Sequence, residues 1–116
     1  MDKRQITSLM QRLFYGDLGP AEYVHLAEGN ELNRVRVDAL LEQFIPGDQL
    51  LFFVNSQNCS SGRRDEAFEK IQRLLQVGRV KVADPRFEGK VVIDPLGVGA
   101  GVRSNPSFKQ TPDGAA

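Results

Sequence analysis

The sequence predicts an α+β fold in which N-terminal helices precede a strand-helix-hairpin unit and pack on a small sheet of about three strands. Three observations carry that expectation. Leu50-Leu51-Phe52-Phe53-Val54 is apolar without alternation, the mark of a short strand covered on both faces. Ala67, Phe68, Ile71, Leu74 and Leu75 then recur at helical spacing, with Glu66, Glu69, Lys70, Gln72 and Arg73 on the opposite face. Finally, Val80-Lys81-Val82 and Val91-Val92-Ile93 bracket the turn-forming cluster Asp84-Pro85-Arg86-Phe87-Glu88-Gly89, as the arms of an antiparallel hairpin would.

The elements follow in order from the chain's punctuation. Ile6, Leu9, Met10, Leu13 and Phe14 share one helical face and predict a helix over 3–15. Gly16 to Pro20 breaks it, and Pro20 is placed to open a short second helix through about Ala27. Leu32, Val35, Ala39, Leu40 and Phe44 predict a third helix over 31–44 with Asn30 as its N-cap. The alternation Arg34-Val35-Arg36-Val37 leaves a strand open there, with Asp38 capping a shorter helix. Pro46-Gly47-Asp48 is a turn, and Gly78 is placed as a left-handed cap on the helix after the central strand. Phe52, Val54, Phe68 and Ile71 are expected to be almost fully buried.

With 116 residues, 41% of them hydrophobic and 26% charged, the chain suits one globular domain. Residues 1–103 are expected to form it, and 104–116, poor in apolar side chains, to be a flexible tail. Gly97, Gly99 and Gly101 read as the exit into that tail. A dinucleotide loop would need glycine where Val102 stands and a helix after it.

Charge and cysteine usage narrow the function classes. Lys+Arg and Asp+Glu number 15 each, so no global basic field draws the chain to nucleic acid or an anionic membrane. Before Cys59 there are five basic and eight acidic residues, and from Cys59 onward ten and seven, a mild dipolar split. One cysteine forms no internal disulfide and suits a reducing compartment. The N-terminus lacks the apolar core of a signal segment, and the run at 50–54 is too short to span a bilayer. A cytoplasmic, bacterial-type protein without a membrane partner is expected.

The stretch nearest to chemistry is Asn55-Ser56-Gln57-Asn58-Cys59-Ser60-Ser61-Gly62-Arg63-Arg64, read as a polar loop between strand and helix. A helix N-terminus beginning near Arg63 would stabilise a thiolate there. Cys59 through Arg64 locally resembles the active-site loop of rhodanese-type sulfurtransferases, which implies persulfide sulfur on Cys59 and an anionic donor held by Arg64. The resemblance covers about a fifth of the chain, without that family's upstream Asp-Val-Arg signature. The structural alternative is an ordinary helix-entry loop with Ser61 as N-cap.

His25, the single histidine, has no placed partner, and one His with one Cys does not make a structural zinc site. Arg63, Arg64, Lys70, Arg73, Arg79 and Lys81 offer basic charge interrupted by Asp65, Glu66 and Glu69, more a solvated helix face than a nucleic-acid surface. The expected function is therefore a non-catalytic protein-protein interaction module: an inhibitor, immunity protein or regulatory adaptor, without metal or cofactor. Asn55, Gln57, Asn58, Arg63 and Arg64 would supply polar contacts and Phe87 an aromatic anchor. The alternatives are a cysteine enzyme of sulfurtransferase or thiol-redox type built on Cys59 and Arg64, and a nucleic-acid accessory protein using the more basic second half. Truncation after Arg103 should leave the melting temperature within a few degrees of the full chain; a larger drop in a thermal scan would place part of 104–116 in the domain.

Overall fold

In the computed structural model, which describes residues 2–13, 22–86 and 88–103, the first apolar stripe forms helix α1 (Lys3–Leu13). Asp2 Oδ1 accepts from the Gln5 amide at 2.9 Å while Gln5 Oε1 accepts from the Asp2 amide at 3.0 Å. This reciprocal cap satisfies two otherwise orphaned donors. Three two-residue strands follow, β1 (Val24–His25), β2 (Ala27–Glu28) and β3 (Glu31–Leu32). Next come α2 (Arg34–Phe44), β4 (Gln49–Asn55) and β5 (Asn58–Arg63). A short 3-10 turn (Arg64–Glu66) leads into α3 (Ala67–Leu75), and β6 (Val80–Ala83), β7 (Gly89–Asp94) and β8 (Val98–Arg103) complete the order.

The α+β class holds, but the sheet is larger than expected. Six strands lie in the order β1-β8-β7-β6-β4-β5 with every pairing antiparallel, and β2 and β3 form a separate ribbon. The hairpin of β6 and β7 is as predicted, whereas β5 replaces an expected loop and β8 an expected flexible exit. Residues 24–25 and 27–28 are extended where a second helix was expected. Pro20, Phe14 and the tail from 104 lie outside the described residues.

Alternation along the strands separates two cores. Leu50, Phe52, Val80, Val82, Val91 and Ile93 face α2 and α3 and are buried with Val37, Leu40, Leu41, Ala67 and Ile71. Leu51, Phe53, Ala83, Val92 and Ala100 face the other way and are buried with Ile6 and Met10 of α1. The expectation of a strand covered on both faces is thus met in β4 through its two sets of side chains. Phe52 and Ile71 are fully buried, but Val54 and Phe68 only partly so. Phe68 lies at the rim, its ring 5.5 Å from the Arg34 guanidinium carbon.

Local details correct three further expectations. Residues 34–37 are helical, but the N-cap is Asn33, whose Oδ1 accepts from the Arg36 amide at 3.0 Å. Asn30 instead sits in the β2–β3 turn beside Gly29, whose φ of 64° a side chain would resist. Gly78 is not left-handed, since Gly29 and Gly97 are the positive-φ glycines among the described residues. The glycines of β8 serve close packing: a Cβ on Gly99 would meet Leu26 Cδ1 at 2.7 Å, and one on Gly101 would run into the Phe44 ring. Both allow α2 to lie against the strand.

Phe52→Ala should cost about 3–5 kcal/mol in a denaturant titration, and Phe68→Ala distinctly less, because its ring is already partly hydrated. Gly101→Val should destabilise by about 1–3 kcal/mol through overpacking against Phe44. A neutral Gly101→Val would mean that α2 is not seated on β8.

Candidate functional site

The polar stretch after β4 folds as a hairpin. Asn55 Oδ1 accepts from the Gln57 amide at 3.0 Å, the Asn58 amide at 2.9 Å and Asn58 Nδ2 at 3.0 Å, turning the chain back on itself. Asn55 is therefore the turn's organiser, while the carbonyl of Gln57 accepts from Lys3 Nζ at 3.1 Å. Strand β5 then pairs along β4, with Cys59 opposite Phe53, Ser60 opposite Phe52 and Ser61 opposite Leu51. It is an edge strand of the large sheet.

The direction of its backbone groups follows from one contact. The Arg64 amide donates to Asp48 O at 2.9 Å, so that pair is hydrogen-bonded toward β4. Antiparallel alternation then turns Gly62 and Ser60 toward β4, and Arg63, Ser61 and Cys59 outward. The Arg63 amide is taken by Glu66 Oε1 at 3.1 Å, consistent with this assignment. Among the described residues, nothing pairs with the outward amides and carbonyls of Cys59 and Ser61.

Basic side chains flank this row on both faces of the sheet. On the α1 side, Lys3, Arg4, Thr7, Ser8, Gln11 and Ser56 line a surface depression of about 460 Å³. On the α3 side, Asn58, Ser60, Lys70, Arg73 and Leu74 are among the residues lining a cleft of about 190 Å³. Lys70 Nζ lies 3.4 Å from Ser60 Oγ and 6.0 Å from the Phe52 ring centroid, which holds its charge over the strand. Sequence reasoning missed Lys3, Arg4, Lys70 and Arg73 as neighbours of the hairpin. The overlooked signal was the Asn-x-x-Asn punctuation after a strand, which also marks a hairpin.

Cys59 does not sit at the entry to a helix. Its side chain belongs to the core under α1, 5% exposed, with Sγ 3.9 Å from Thr7 Oγ1, 3.7 Å from Lys3 O and 3.8 Å from Ser56 O. Arg64 is engaged elsewhere: Nε donates to Gly47 O at 2.9 Å and Nη2 to Ile45 O, clasping the turn between α2 and β4. Arg63 is exposed and pairs with Asp65 at 3.6 Å, a contact of little energetic weight. Phe87 lies outside the described residues.

The remaining sequence candidates are dispersed. His25 is exposed on β1 and helps line a groove of about 360 Å³ with Glu22, Arg36 and Gln43. Arg79 pairs with Asp94 at 3.6 Å, and Lys81 lies 5.9 Å from the Phe53 ring on the α1 face, opposite to Lys70. The expected basic run is therefore not one surface. No cluster of three or more His, Cys, Asp or Glu suited to a metal occurs among the described residues. No described helix is long and apolar enough to cross a membrane.

Comparison with known protein families, curated proteins and solved structures found no match for this chain.

Burial of Cys59 predicts that iodoacetamide alkylates it much more slowly in the native protein than in the unfolded one. Arg64→Ala should lower stability by about 1–3 kcal/mol by stripping carbonyl partners, and Arg64→Lys should recover only part of this because it lacks the planar fork. Full stability of Arg64→Ala in urea would remove Arg64 from its structural role.

Proposed function

We propose that this protein is a protein-protein interaction module, an inhibitor, immunity protein or regulatory adaptor without catalysis of its own, that engages its partner through the β5 edge. The observation that carries this reading is the outward row of backbone groups at Cys59 and Ser61, unpaired among the described residues, on a six-residue edge strand. Folded proteins protect such edges with inward charges, proline or a covering segment, and an edge left open is a template for a partner strand. The side chains along it are small or polar, Asn58, Ser60, Ser61 and Gly62, which leaves the backbone accessible. Of the residues expected to bind, Asn58 and Arg63 belong to this edge, and Gln57 to the turn beside it.

The cysteine-enzyme alternative draws less support, because the thiol is packed under α1 and the Arg64 guanidinium is held by main-chain carbonyls. The single cysteine is in keeping with a cytoplasmic setting.

Photo-crosslinking in the source cells tests the reading. A photoreactive phenylalanine at Ser61 should trap a discrete protein partner, and one at Val35, 76% exposed on α2, should not. No partner at either position, together with persulfide formation on Cys59 from thiosulfate, would replace the interaction module by a sulfur-transfer enzyme.

A further inference from the structure

We infer that the β5 edge takes an extended acidic segment of a partner protein, added antiparallel to β5 as a seventh strand of the large sheet. This rests on the reading of β5 as the interaction edge and adds the chemistry and geometry of what binds. Cys59 and Ser61 each turn both an amide and a carbonyl outward, and Arg63 adds a carbonyl, since its amide is bonded to Glu66. An antiparallel strand uses such a row directly: Cys59 and Ser61 would each exchange two hydrogen bonds with a residue of the segment, and the Arg63 carbonyl would accept one more.

The flanks select the charge of the segment. Successive side chains of an added strand alternate between the two faces of the sheet, and each face presents cations beside β5. Lys3 and Arg4 stand on the α1 face, Lys70 and Arg73 on the α3 face. The side chains of Arg4 and Arg73 have no ion-pair or hydrogen-bond partner among the described residues. The nearby carboxylates are already engaged: Asp2 caps α1, Asp65 pairs with Arg63, Glu66 holds the Arg63 amide and Glu69 pairs with Arg34. Asp2 and Glu66 keep their charge while accepting from main-chain amides, so Lys3, Arg4, Lys70 and Arg73 leave a net positive excess beside the strand, and a segment with Glu or Asp on both of its faces meets cations on either side.

The same charges disfavour a second copy of this chain as the occupant. Antiparallel pairing of two β5 strands about Ser61 would bring the Lys3, Arg4, Lys70 and Arg73 groups of the two copies beside the same seam, where like charges repel.

The test uses the full-length protein and three synthetic strand peptides of about nine residues, built on Thr and Val and carrying Glu, Gln or Lys at the same positions on both faces. The Glu peptide should bind at least about tenfold more tightly than the Lys peptide at low salt and lose that advantage as salt rises. Its binding should slow hydrogen exchange of the Ser61 and Cys59 amides. Ser61→Pro should abolish binding without loss of fold, because the Ser61 amide points away from β4 and proline removes no ladder bond. Should that variant fail to fold, the double variant Arg4→Glu with Arg73→Glu, at two exposed helix positions, should reverse the order of the peptides.

Equal affinity for the three peptides with protection at Ser61 would keep the edge but overturn the acidic partner. Binding without protection at Ser61, or no binding of any peptide, would overturn the β5 site. Crosslinking at Val35 would then show whether the broader interaction reading survives. Protection of Ser61 that rises with protein concentration in the absence of peptide would overturn the proposal in favour of a second copy.

Discussion

Because Leu50 and Phe52 point into one core and Leu51 and Phe53 into the other, strand β4 must be covered on both sides. Removing α1 or the α2–α3 pair would expose half of it. Fully burying one such side chain contributes roughly 1.5–3 kcal/mol, so β4 gives each helical layer a reason to dock. The connection after it follows the same logic. β5 returns along one side of β4, α3 crosses over Phe52, and β6 lands on the other side. The strand thus joins the two cores and sets the register of the sheet.

The two ends of the sheet solve their packing differently. Around β6 and β7, branched side chains such as Val80, Val82, Val91 and Ile93 meet α2 and α3. At β8 the facing positions are glycines, and α2 fills the space with Phe44 over Gly101 and Leu40 near Gly99, joined there by Leu26 from the segment between β1 and β2. Large side chains on the helix and none on the strand make as close an interface as the reverse arrangement. Gly89 belongs to the same design, since a Cβ there would strike the carbonyl of Phe44 at the end of α2.

The sheet's open side is shaped by what surrounds it more than by its own sequence. β5 is polar apart from Cys59, which anchors it beneath α1 opposite Phe53. The first turn of α1 and the middle of α3 are far apart in the chain, yet they bring Lys3, Arg4, Lys70 and Arg73 to either side of one strand. The chain as a whole has balanced charge, so this local field arises from placement and not from composition.

The sequence by itself determined the α+β class, the two-sided burial of β4, the amphipathic helices at 3–13 and 67–75 and the β6–β7 hairpin, while it favoured a helix over 31–44 with a strand left open at 34–37. Each of these has a local cause, either periodic apolar side chains or a cap or turn within a few residues. Only the tertiary structure decided the rest. Cys-Ser-Ser-Gly at 59–62 and Gly-Ala-Gly at 99–101 have no strand-like apolar alternation. They become extended because β4 and β7 offer them a backbone ladder and, for β8, because α2 requires a strand without side chains beneath it. The helix-entry loop, which in the cysteine-enzyme alternative would activate Cys59, could not be distinguished by composition from a hairpin that buries it. That choice depended on α1 covering the far face of β4, a contact made across more than fifty residues of chain.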